Sequence, residues 1–155
     1  MSSSAPKPDP GRFSLKTAAR LAAVQALYVI DVTGANPELM LHDFLAHNMP
    51  KEAEKTPHLE FDHELFSLIV RQTLACQEKI DALLATALDA KYKLERMEKI
   101  LKAIFRAGAS ELVSIRVDHA IIINDYVGIT HGFFAGKEPG LVNAVLDKIA
   151  KTMQI

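Results

Sequence analysis

Residues 94–113 read LERMEKILKAIFRAGASELV, and the spacing of apolar side chains in this stretch decides the fold class. Met97, Ile100, Leu101, Ile104, Phe105, Gly108 and Leu112 recur at steps of three and four, which sets them on one stripe of an α-helix. Arg96, Lys99, Lys102 and Arg106 follow the same steps on the other side, so the stretch predicts a helix with a core face and a basic ridge. Gly108 and Ala109 leave room for another helix to cross at close range. That crossing must offset the glycine's penalty of about 1 kcal/mol in helix propensity.

The elements on either side repeat the helical period. Towards the C-terminus, Asp118 is placed to cap a helix over 119–131. Its run from Ala120 to Ile123 is β-rich by propensity. Ile122, Ile123, Tyr126, Val127 and Thr130 hold helical spacing, however, and no second strand signal exists to pair with it. Gly132, Gly136 and Gly140 punctuate a loop. Pro139 opens a last helix whose stripe is Leu141, Val142, Val145, Leu146, Ile149 and Met153. Towards the N-terminus, Asp62 caps a long helix carrying Leu65, Ile69, Thr73, Cys76 and Ile80 in line, with a bend expected near Asp81. Residues 47–60, with Pro50 and Pro57 among charges, read as an acidic mobile connection. Asn36 and Pro37 open a short helix with Met40, Leu41, Phe44 and Leu45 inward. Ser14 caps a first helix over 15–31, with Leu15, Ala19, Ala22, Ala26 and Ile30 buried and Leu21, Val24 and Tyr28 on a second apolar side, a candidate surface for a homodimer. The expectation is an all-α fold of six or seven helices, with a disordered tail over 1–13 and one helical domain over 14–155.

The totals exclude several function classes. A chain of 155 residues is long enough to bury a core without staples, and its one cysteine, Cys76, permits no internal disulfide. That fits a cytoplasmic protein. The polar, proline-rich start has no signal-peptide core, and no apolar run approaches the ~20 residues of a membrane span. The net charge of −1 conceals an uneven distribution. Residues 33–64 hold two basic and seven acidic groups, whereas residues 91–106 hold six basic residues against Glu95 and Glu98. Such a patch is either a solvated helix face or an anion-binding surface. Lys16 and Arg20, one turn apart near the start of the first helix, oppose its dipole, which favours an anionic partner.

Catalytic chemistry finds no support. The histidines form no metal-ligand pattern, His42, His47, His58 and His63 being spread through the acidic region. Cys76 falls on an apolar stripe and reads as a small buried hydrophobe. The glycine loop has no strand before it, so it is a set of turns rather than a phosphate cradle. Glu111 and Asp125 lie on or beside apolar stripes, where burial and pairing explain them better than acid-base work. No catalytic residue, metal site or cofactor is expected.

Three segments together resemble the NusB family of transcription antitermination factors. They are ARLAAVQALYVID from Ala19, EKILKAIFRAGASEL from Glu98, and HAIIINDYVGI from His119 joined to LVNAVLDKIA ending at Ala150. The last is the most specific, with an Asn and an acidic residue in the sixth helix followed by V-N-x-V-L-D-K in the seventh. The resemblance covers residues 15–150. It implies two small helical bundles that bind a single-stranded boxA-like RNA together with a small-subunit ribosomal protein. Other antitermination factors and RNA polymerase would be reached indirectly. Carried onto this sequence, the RNA face would comprise Lys16, Arg20, Gln25 and Tyr28 of the first helix and Leu141, Asn143 and Lys148 of the last. Lys102, Arg106 and Glu111 would serve the protein partner. The chain departs from the family pattern at several points: KTAAR stands where relatives carry an arginine run, Leu141 replaces an aromatic and Ala144 a glycine. These departures leave open a diverged protein–protein interaction module that has lost RNA binding.

Overall fold

The computed structural model describes residues 14–47, 60–114 and 118–153. The expected tail over 1–13 and most of the acidic connection lie outside the described residues. Seven α-helices follow in order: α1 (Leu15–Thr33), α2 (Pro37–His47), α3 (His63–Ala75), α4 (Gln77–Ala87), α5 (Lys99–Ser114), α6 (His119–Phe133) and α7 (Glu138–Met153), with a 3₁₀ turn at Leu94–Arg96 before α5. Among the described residues there is no strand, and the β-rich run at Ala120 is helical. The fold is all-α, as expected.

Local chemistry fixes the helix starts. Ser14 Oγ accepts from the Thr17 amide at 3.0 Å. Asn36 Oδ1 accepts from Glu38 at 2.9 Å, Asp62 Oδ1 from Leu65 at 3.0 Å and Asp118 Oδ1 from Ala120 at 2.9 Å. Each cap satisfies an amide that its helix cannot. Boundaries differ from the sequence reading at three places: Gly132 and Gly140, expected in a loop, lie inside α6 and α7, and two further differences concern the long helix and the stretch 94–113. The long helix breaks at Cys76 (φ −116°, ψ 23°), five residues before the expected bend, giving α3 and α4. The stretch 94–113 is not one helix, because Met97 is extended (φ −77°, ψ 153°) and α5 begins at Lys99.

Helix α5 is the hub. It packs on α1 and α3 on one side and on α4, α6 and α7 on the other, joining an N-terminal group of helices to a C-terminal one. Consequently it is buried almost all round: Leu101 to Phe105 and Ala107 to Leu112 are all shielded from solvent. At Gly108, a Cβ would stand 2.9 Å and 3.2 Å from the two Leu146 methyls and 3.4 Å from Tyr126 Cδ2, so α7 approaches here as closely as a glycine permits. Below it, Phe61 stacks edge-on to Phe66 (5.1 Å), which lies nearly parallel to Phe44 (5.5 Å), and the Asp62 amide bonds Leu15 O at 3.1 Å, tying the head of α3 to that of α1.

A polar cluster sits inside this apolar frame. Arg20, 4% exposed, donates through Nε to both oxygens of Glu111 (2.8 and 3.0 Å) and through Nη2 to Oε2 (2.5 Å). Its Nη1 donates to Asp125 Oδ2 at 2.6 Å, and Thr17 Oγ1 donates to the same carboxylate at 3.0 Å. Tyr126 donates its hydroxyl to Glu111 Oε1 at 2.9 Å. Burial alone would lower the Arg20 pKa, but hydrogen bonds and attraction from Glu111, with a further bond to Asp125, hold it above its ordinary value. Burial first, and then the Glu111 charge, push the Tyr126 phenol well above its usual range. It therefore stays a neutral donor.

The packing makes three results measurable. Gly108→Val should destabilise by about 1–3 kcal/mol through overpacking. In urea denaturation, Leu146→Ala combined with it should cost less than the sum of the two single changes. Ser110 is fully buried and its hydroxyl has no hydrogen-bond partner among the described residues, so Ser110→Ala should stabilise the protein by roughly 1 kcal/mol. Tyr126 has a folded pKa above its unfolded value of about 10, so above that pH the unfolded chain has given up a proton the native state keeps, and stability falls as pH rises. In alkaline titration followed by tyrosinate absorbance, Tyr126→Phe should leave the pre-unfolding amplitude unchanged and reduce the amplitude released on unfolding.

Candidate nucleic-acid and partner interface

The residues expected at the RNA face separate into two groups on two helices. On α1, Lys16 and Gln25 are exposed and Tyr28 is 37% exposed, so this tyrosine is not a core residue. Leu21, Gln25, Tyr28 and Val32 fall at steps of four, three and four, making one partly apolar outer stripe. Val24, expected beside them, is fully buried, which narrows the apolar side considered for self-association. Leu15, expected inward, is instead 53% exposed because the core begins one turn later, at Ala18. On α7, Asn143 and Lys148 are both exposed and Leu141 is half-buried. Lys148 Nζ donates to Ala87 O at 3.4 Å, placing a cation at the C-terminal end of α4, where the helix dipole favours one.

Arg20 corrects the sequence reading, which expects a free guanidinium one turn from Lys16. Its position on α1 instead faces α5 and α6, and both of its edges are taken by Glu111 and Asp125. Glu111, expected to meet a protein partner, is 1% exposed and is the inner anchor of that cluster. The two carboxylates that needed a partner and the cation that needed an anion answer one another. Thr17 joins them with no local sign of that role. The signal exists only as a coincidence of three separate helices, since each position on its own looks like an imperfect apolar stripe.

The basic ridge on α5 is likewise not a solvated face. Lys102 is 9% exposed. Arg106 is half-buried, with Nε and Nη2 each 2.8 Å from Asp81 of α4. Lys99 lies 3.6 Å from Asp31 of α1. Arg106 and Lys99 thus tie the hub to α4 and α1, with Lys99 still exposed, while Lys102 is buried as neighbouring helices close around α5. Between α1, the α3–α4 junction and α5 lies a cleft of about 230 Å³ lined by Leu27, Ile30, Asp31, Leu74, Gln77, Ala103 and Arg106. An apolar floor with a carboxylate and a guanidinium at its edge suits a protein side chain better than a nucleotide phosphate. Among the described residues, no three His, Cys, Asp or Glu side chains are grouped to hold a metal ion, and no helix is long and apolar enough to cross a membrane.

Comparison with known proteins places this arrangement. The sequence model of the NusB family matches residues 17–151. The transcription antitermination protein NusB of Bartonella quintana (strain Toulouse) is 38% identical over 150 residues, covering 96% of both chains. That of Bradyrhizobium sp. (strain ORS 278) is 42% identical over 135 residues, covering 86% of this chain and 80% of its own. Among solved structures, T. maritima NusB superposes with a TM-score of 0.73 at 23% identity, covering 87% of this chain and 89% of the other. A crystal structure of antitermination factors NusB and NusE in complex with dsRNA gives a TM-score of 0.71 at 22% identity, covering 88% and 96%. Those two likenesses establish the fold, and the sequence matches, which run through α1, the hub α5 and the V-N-x-V-L-D-K helix, establish descent: the chain belongs to the NusB family.

Proposed function

We propose that this protein is a transcription antitermination factor that binds boxA-type single-stranded RNA together with a small-subunit ribosomal protein, and so supports ribosomal RNA transcription. It acts in the cytoplasm and without catalysis. The observation that carries the reading is 38% identity to an antitermination protein across 96% of the chain. The geometry supports it: Lys16, Gln25 and Tyr28 line the outside of α1, while Asn143 and Lys148 lie on α7. Cations there hold phosphates, amides read base edges, and an exposed tyrosine stacks an unpaired base. Arg106 lines the cleft between α1 and α5, whose apolar floor supports a role for it in meeting the protein partner.

The rival reading, an interaction module without RNA binding, draws on one observation. With Arg20 engaged internally, Lys16 is the only cation on described α1 free of an ion pair. The discriminating measurement is fluorescence anisotropy of a labelled boxA-like RNA, a scrambled strand and a duplex, at several salt concentrations, with and without the ribosomal protein. The expected outcome is preference for the boxA-like strand and affinity falling with salt. Lys16→Glu and Lys148→Glu should each weaken binding about fivefold at 0.1 M salt, with the salt slope shallower by about 0.7 for each phosphate left without its cation. Equal binding of boxA-like and scrambled strands by the protein pair would sustain the rival reading.

A further inference from the structure

Two lysines that make no ion pair among the described residues lie just beyond the group of expected RNA residues on α7. Tyr92 sits in the loop between α4 and the 3₁₀ turn, where its amide donates to Asp89 O at 2.9 Å and its ring packs partly buried against the core. Lys91 Nζ stands 5.2 Å from the ring centroid, and Lys137 Nζ, from the turn just before α7, stands 5.2 Å from the same centroid. Both distances fall inside the range in which a ring's negative face attracts an ammonium. One anchored ring therefore holds two cations from separate parts of the chain within about 10 Å of each other. Among the described residues, neither lysine makes an ion pair. The Glu138 carboxylate lies against Gly136, where a Cβ would stand 3.0 Å from its Oε1. Bringing two like charges together costs free energy in the unliganded protein, and an anion with two charged groups in sequence relieves it.

We infer that Lys91 and Lys137, positioned by the Tyr92 ring, form a clamp for consecutive phosphates of a single RNA strand. The inference rests on the RNA-binding reading and extends its path. Lys137 immediately precedes α7, which carries Leu141, Asn143 and Lys148, and Lys148 reaches back to Ala87 at the end of α4, directly before the Tyr92 loop. A strand that follows α7 thus meets the clamp at one side of the same surface. With an ammonium at its ring, Tyr92 acts as a positioning residue rather than a stacking platform. The clamp contributes affinity and salt dependence but does not read sequence.

The test is anisotropy of a boxA-like RNA with the full chain over a salt series, with thermal melts confirming that each variant is folded. The Lys91→Ala/Lys137→Ala double variant should bind about 10- to 30-fold more weakly at 0.1 M salt, with the log–log salt slope shallower by about 1.4 for two phosphates left without a cation. BoxA-like and scrambled strands should weaken equally. Tyr92→Leu, which keeps an apolar side chain in the loop, should weaken binding about threefold, whereas Tyr92→Phe, which keeps the ring, should match the parent protein. An unchanged slope in the double variant would overturn the clamp while leaving the RNA reading in place. Equal binding by the Leu and Phe variants would overturn the role of Tyr92. Absence of RNA binding by the parent protein would overturn clamp and RNA reading together.

Discussion

The guanidinium of Arg20 against the carboxylate of Glu111, at 2.5 Å and almost out of reach of water, is the contact on which the geometry of this molecule depends. It joins α1 to the hub helix α5, and the second carboxylate, Asp125, adds α6. A buried ion pair contributes little net stability over a well-packed apolar trio, because both charges must leave water, yet removal of one partner leaves the other charge stranded at a cost of about 3–5 kcal/mol. Its effect is therefore to penalise alternatives. A slip of α1 by one residue along α5 would carry Arg20 out of register with Glu111, and the helix face bearing Gln25 and Tyr28 would turn with it.

The same constraint reaches the surface through short covalent distances. Thr17, which bonds Asp125, also meets Ser14 Oγ at 2.7 Å, so the cap of α1 and the buried cluster share one hydrogen-bonded chain. Lys16 sits between them in sequence, exposed. One turn before Glu111 on the hub, Gly108 lets Leu146 into contact with α5, which sets the height of α7 and hence of Asn143 and Lys148 above the core. Two interior features, one polar and one steric, thus fix the helices that present the proposed RNA contacts. Neither feature needs to touch RNA to matter for it.

What is legible in the sequence follows from locality. Caps at Ser14, Asn36, Asp62 and Asp118 involve a side chain and an amide two or three residues away, so the sequence contains both partners. The apolar period of α5 and α7 likewise predicts Leu101, Ile104, Phe105, Leu112, Val142, Val145, Leu146 and Ile149 in the core, although Met153 is exposed and the polar side of α5 is buried as well. What the sequence hides is non-local. Arg20 looks like a free cation on α1 until α5 and α6 bring two carboxylates to it. Lys102 and Arg106 look like part of a solvated ridge until the packing of α5 covers them, leaving Lys99 exposed beside Asp31. The break at Cys76 is concealed because α3 and α4 keep one apolar line through it: Thr73 and Ile80 on either side are both buried. Tyr92 looks like an ordinary linker residue, since its second lysine lies forty-five positions further along the chain.

Charge arithmetic constrains how such a protein binds a polyanion at all. With a net charge of −1, no long-range field draws RNA to the whole surface, so attraction must come from local sites where cations are left without carboxylates. The interior cluster and the α4–α5 and α1–α5 ion pairs remove Arg20, Arg106 and Lys99 from that supply. Among the described residues what remains is distributed, with Lys16 at the head of α1, Lys79 on α4, Lys93 and Arg96 before α5, and Lys91, Lys137 and Lys148 around the junction of α4 and α7. Screening at physiological salt acts over about 8 Å, so separated cations of this kind act as individual contacts rather than as a patch. Affinity built from few independent contacts is modest and strongly improved by any second binder that shares the strand. With Arg20 buried against Glu111 and Arg106 held by Asp81, the surface that would meet a strand is left to scattered cations, each acting alone.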